Sequence, residues 1–314
     1  MLHLRLISPA SRTDEVLAVL DECPGITNVA VLPGAAREPK GDLIFCDMAR
    51  ESANQVISDL KWLEDEGSIA IEQIDLSLSK VAHEAEEEAP GEGDDAVVWE
   101  ELARRVHDDS RMTWAYLAFL AIATQLAGIG VLVNSPILIV GAMVLGPEFG
   151  NVAAICFGLL RRRWHLVIAS FKALVIGFTV AIAITFTCAL VSTWLGWVTP
   201  DMLQVNEEVR FIVLPDKWSF IVALLAGAAG VLSITAGKSS ALVGVFISVT
   251  TVPAAGYAAV ALALGDWNEV YGSVTQLAVN IVGMIISGTA TLLVQRMFWP
   301  QVGRTVGRAG KSSV

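Results

Sequence analysis

The chain has 314 residues, is 54% hydrophobic and carries a formal net charge of −11. Its charge is unevenly placed: residues 1–110 hold 25 acidic and 9 basic side chains, whereas residues 111–314 hold 7 and 12, together with the long apolar runs. This pattern describes an acidic soluble head on a hydrophobic membrane body, and it argues against nucleic acid as a partner.

The opening stretch, MLHLRLISPASRTDEV, lacks the apolar core of a secretory signal, so the head is expected in the cytoplasm. Leu2, Leu4 and Leu6 alternate as in a strand, and Thr13 to Leu20 reads as a helix capped by Thr13. After the Pro24-Gly25 turn, strands fit Ile26 to Leu32 and Asp42 to Asp47. A second helix fits Glu51 to Glu64 and a fourth strand Ser68 to Leu76. The order βαββαβ over residues 1–80 is the ferredoxin-like plan. By analogy such a domain serves either ligand sensing or oligomer packing, and the residues name no ligand.

Residues 81–96 are predicted to be an acidic linker, because HEAEEEAPGEGDD at 83–95 is nearly devoid of apolar side chains. A lead-in helix at 97–111 places Val98, Leu102 and Val106 on one side, with Arg104, Arg105 and Arg111 available to anionic headgroups.

Six spans of ~20 or more apolar residues fit residues 112–298: Met112–Val133, Ile137–Leu160, Leu166–Val198, Trp218–Ala236, Ala241–Leu264 and Val270–Phe298. Arg161, Arg162 and Arg163, then Lys238, then Arg296, Arg304, Arg308 and Lys311 all fall on one side. The positive-inside rule therefore gives cytoplasmic N- and C-termini, with 299–314 a basic tail, in a cell membrane.

The second span contains the sharpest signal. In ILIVGAMVLGPEFGNVA, at 137–153, Gly146 and Pro147 interrupt an apolar helix, and Glu148 and Asn151 follow at once. Proline removes a backbone hydrogen bond, and a carboxylate at membrane depth needs a cavity or a partner. The bland reading is a kinked helix with a structural glutamate. Lys172 is a candidate charge partner, although snorkelling to the interface suits its position.

Two halves resemble each other. LAGIGVL at 126–132 parallels LAGAAGVL at 225–232. At an offset of 103, Val140-Gly141 meets Val243-Gly244, Trp164 meets Trp267, Ser170 meets Ser273 and Leu174 meets Leu277. Three spans per half, 112–198 and 218–298, require the second copy to be inverted. Inverted repeats with interrupted spans point to a transport site between them. The offset sets Thr250 and Thr251 opposite Pro147 and Glu148, with Pro253 close by and Asn280 a further polar candidate. The expected fold is thus an α-helical polytopic membrane protein, with six spans in an inverted 3+3 repeat and broken helices, behind an α+β ferredoxin-like domain.

Cys23, Cys46, Cys156 and Cys188 match no metal or redox spacing, and AGKSS at 236–240 lacks the leading glycine of a phosphate loop, with Leu232 in its place. No catalytic motif appears, so an enzyme, a metal and a cofactor are not expected. Gly146-x-x-x-Gly150 permits close helix contact, and a homo-oligomer is expected.

Residues 112–298, above all NSPILIVGAMVLGPEFGNV, LLAGAAGVL, ALVGVFISVTTVPAAGYAAVALALGDW and LAVNIVG, resemble the bacterial membrane family called domain of unknown function 389. The head resembles the N-terminal extension of many members. The resemblance implies a polytopic inner-membrane protein with no assigned reaction. Members usually carry an apolar residue where this chain has Glu148, and often a double proline where it has Pro253-Ala254. The expected function is a transporter or channel for a small solute or ion in the lipid bilayer, regulated by the head. The alternative is a membrane sensor or scaffold that moves nothing.

Overall fold

The computed structural model describes residues 1–74, 77–89, 96–203, 217–236 and 251–309, with 298–309 as backbone only. Chain contacts divide it into two compact units, residues 1–102 with 297–314, and residues 103–296.

In the first unit, β1 (Leu2–Ser8) leads to α1 (Thr13–Glu22), β2 (Ile26–Arg37), β3 (Lys40–Met48), α2 (Ala53–Asp59), α3 (Leu63–Glu66) and β4 (Ser68–Gln73). The strands form one antiparallel sheet in the order β2-β3-β1-β4. Alternation in β1 turns Leu2, Leu4 and Leu6 inward, where Leu4 and Leu6 are wholly buried with Val16, Leu20 and Ile44. The expected βαββαβ order is present. The single helix expected over 51–64 is instead α2 and α3, joined by a turn that sends both Leu60 and Leu63 into the core.

The acidic stretch differs more from expectation. Lys80–Glu88 forms α4, where composition reads as a mobile linker. Ser79 caps it by accepting from the Ala82 N–H at 3.2 Å. Ala82, Ala85 and Ala89 form a buried stripe behind the glutamates. The stripe fits because Gly25 faces it: a Cβ on Gly25 would lie 3.2 Å from the Ala89 Cβ and 2.9 Å from the Ala49 Cβ. Gly25 also has φ +80°, a conformation that favours glycine. The side chain of Arg50 donates to Ala96 O at 3.0 Å and to Glu101 at 3.1 Å, and Asn54 donates to Val97 O at 2.7 Å, so this unit grips the start of α5 (Trp99–Asp109).

The second unit is helical. It contains α6 (Trp114–Leu132), α7 (Pro136–Leu145), α8 (Phe149–Leu160), α9 (Trp164–Trp194), α10 (Lys217–Thr235), α11 (Val252–Leu264) and, as far as Arg296, α12 (Trp267–Ala309). Four of these carry stretches long and apolar enough to cross a membrane: Trp114–Leu132, Trp164–Trp194, Lys217–Thr235 and Trp267–Met297. The pair α7 and α8, bent by 52°, makes a fifth if counted as one span. Of the six expected spans, the fifth is described only from Thr251 onward, and residues 241–250 lie outside the described residues.

Two of the long helices open on tryptophan, α9 at Trp164 and α12 at Trp267, and these starts have the same separation as Glu148 and Thr251, which is 103 residues. Trp114, Trp164, Trp194, Trp218 and Trp267 stand exposed at span ends, as side chains of an interfacial belt do.

Small residues let the helices close on one another. The α11 helix packs against α6 and α9. A Cβ on Gly256 would lie 2.7 Å from Gly128 N and 2.8 Å from Thr124 O, so only glycine permits this backbone approach. Reciprocally, α8 reaches α10 and α12: the Cys156 thiol donates to Ile285 O at 3.6 Å, and a Cβ on Gly288 would lie 2.9 Å from the Cys156 sulfur.

Candidate functional site at two helix starts

The break between α7 and α8 is built by three residues. Gly146 caps α7 in extended conformation (ψ 119°), Pro147 has no N–H to continue the ladder, and Glu148 is the N-cap of α8. The helix restarts at once, with the N–H groups of Asn151 and Val152 donating to Glu148 O at 3.1 and 3.3 Å. The start of α11 has a related form. Thr251 is the N-cap of α11, and Pro253 sits in its first turn, where a missing N–H costs the helix nothing.

These two caps meet. The Thr251 hydroxyl donates to Glu148 Oε1 at 2.6 Å, and both residues are 0% exposed. Among the described residues of the second unit, Glu148 is the fully buried acidic or basic side chain, while Arg105, Arg161, Arg162, Arg163, Lys172, Lys217 and Arg296 are exposed.

Asn151, one turn into α8, is also 0% exposed, and neither end of its amide has a hydrogen-bond partner. The Tyr116 hydroxyl from α6 lies beside that amide and within electrostatic range of Glu148, without forming a well-aligned bond. Gly177 of α9 makes room for this tyrosine, since a Cβ there would lie 2.8 Å from Tyr116 Cε1. Burying polar atoms in this way is costly unless something meets them.

Of the residues singled out from sequence, Glu148 and Thr251 are brought into contact, with Asn151 beside them. Gly146 and Pro147 form the break and are half-buried, and Pro253 is buried in the first turn of α11. Asn280 is buried on α12. Thr250 lies outside the described residues. Lys172 is not brought to Glu148: it stands exposed on α9, one residue from the buried Ala173.

Other residues were not anticipated. Ser273 and Gln276 are wholly buried on the α12 face that carries Asn280, and both amide atoms of Gln276 lack a partner. Ser170 and Thr185 are likewise buried on α9 without hydroxyl partners. A polar residue recurring at helical spacing within an apolar run is the available signal, and 273, 276 and 280 carry it.

The apolar helices and their tryptophan ends define a membrane protein. Residues 143–286 match the family model described as domain of unknown function 389, which establishes over that region the likeness read from its motifs. An uncharacterised protein of Methanocaldococcus jannaschii is 24% identical over 202 residues, 64% of this chain and 61% of that relative. No solved structure matches.

Proposed function

We propose that this protein is a transporter or channel for a small solute or ion, with its site between two inverted three-span repeats. The carrying observation is the 2.6 Å hydrogen bond between Glu148 and Thr251, residues that are equivalent under the repeat offset. A residue that touches its own repeat equivalent lies at the axis relating the halves, which is where inverted-repeat transporters hold their solute. The matched starts of α9 and α12 support the same reading, as does the exchange in which α11 packs on α6 and α9 while α8 reaches α10 and α12.

In this reading six spans cross a cell membrane with both termini cytoplasmic, as the placement of Arg161–Arg163 and Arg296 favours. The head regulates access, and the protein works as a homo-oligomer without a cofactor. Polar side chains buried in an apolar bundle, Asn151 and Gln276 above all, are what a solute path requires and what a solid anchor does not.

The test is reconstitution of the purified chain in liposomes, with a panel of ions and metabolites followed by flux. Transport of at least one class, altered by Glu148→Gln, is expected. Absence of flux for every class would favour a membrane sensor or scaffold.

A further inference from the structure

We propose that the junction of α8 and α11 is a site for a small monovalent anion, and that the Glu148 carboxylate occupies it as a tethered anion in this chain. The inference deepens the transport reading, and it rests on that reading for its flux arm alone.

Two helix starts meet here. The α8 helix has 12 residues and α11 has 13, and their N-caps, Glu148 and Thr251, are hydrogen-bonded to each other. First-turn N–H groups point out of a helix start, and each start behaves as roughly half a positive charge. Two such starts amount to about one positive unit, of which the C-terminal end of α7, capped by Gly146, offsets about half. Helix N-termini bind anions for this reason.

The side chains at the junction fit the same occupant. Thr251 already gives its hydroxyl proton to Glu148 Oε1, so the carboxylate is held as an acceptor. The Asn151 amide, fully buried with neither atom partnered, and the Tyr116 hydroxyl beside it are further donors within the same cluster. Their oxygens also offer a cation a coordination shell. The two helix starts oppose a cation, however, and outweigh the single C-terminal end of α7 beside them. Removing the carboxylate leaves a positive, donor-lined pocket, and retaining it repels a second anion.

Bromide titrations of the purified full chain test this. Wild type, Glu148→Gln, Glu148→Ala and Glu148→Asp are titrated with sodium bromide against sodium gluconate at constant ionic strength, with heat of binding as the readout. Glu148→Gln and Glu148→Ala are expected to bind bromide at least about tenfold more tightly than wild type, since a like charge a few ångströms away is gone. Glu148→Asp keeps the charge and is expected to behave as wild type, and Thr251→Val added to Glu148→Gln is expected to weaken bromide again.

Equal bromide affinity in all chains, or no bromide binding by either neutral variant, overturns the proposal. So does sodium-dependent binding that wild type shows and Glu148→Gln loses, which would make the junction a cation site. The same proteins are then tested for chloride efflux from liposomes. Bromide binding by the neutral variants without flux of any solute sinks the transport reading and leaves the anion site standing. Flux of another solute without bromide binding does the reverse.

Discussion

Glu148 and Thr251 are separated by 103 residues, cap two different helices, and are joined by a 2.6 Å hydrogen bond in a fully buried setting. Their coupling is measurable. Thr251→Val and Glu148→Gln, singly and together, are expected to show an interaction of about 1.5–3 kcal/mol, the range for a hydrogen bond to a charged group. Thermal unfolding in detergent reads it. Strict additivity would mean that the two caps do not interact.

The close backbone approach of α6 and α11 gives a second prediction. Gly256→Ala adds a Cβ 2.7 Å from Gly128 N, with no flexible side chain to yield, and is expected to destabilise the protein by about 1–3 kcal/mol through overpacking. Gly141→Ala is the control, because nothing lies within 4 Å of a Cβ there. Equal melting temperatures for the two variants would contradict this packing.

The α4 helix yields a third. Ala85→Arg places a long charged side chain where the stripe meets Gly25, and α4 is expected to detach from the sheet. Limited proteolysis should then cut within residues 80–89 faster than in wild type. An unchanged cleavage rate would leave α4 without its docking role.

Asp42 gives a pH prediction. Hydrogen bonds from the Thr13 hydroxyl at 2.6 Å and from the Gly34 N–H at 2.8 Å hold its carboxyl below the usual value, burial opposing them. A carboxyl lowered on folding stabilises the protein fully above its unfolded pKa, about 3.9, and that contribution is lost as pH falls through the lower folded value. Asp42→Asn is therefore expected to be less stable than wild type at neutral pH, with the gap closing on acidification below about pH 4. Unfolding monitored against pH checks this, and a gap that widens in acid would reverse the assignment.

Much of this architecture was legible because the signals were local. Alternating Leu2, Leu4 and Leu6 gave β1, and the missing N–H of Pro147 gave the break. The α4 helix was hidden because its buried face is made of alanines, which add little apolar character to a run of glutamates. In the body, α9 and α12 are apolar all round, so periodicity does not reveal which face turns inward. Lys172 accordingly stands outside while Ser170 and Ala173, two residues before it and one after, are buried. Tyr116 was missed for another reason. Its place beside Asn151 depends on Gly177, which lies 61 residues further on and belongs to another helix.

The central claim is that water and solute reach the paired helix starts. A Thr251→Cys substitution, made with exposed Cys188 changed to Ser, tests it in native membranes with a small, charged, membrane-impermeant thiol reagent. The account predicts modification of the new thiol in the folded protein and protection by the transported solute. Modification only after denaturation would mean a dry, solidly packed junction and would contradict it.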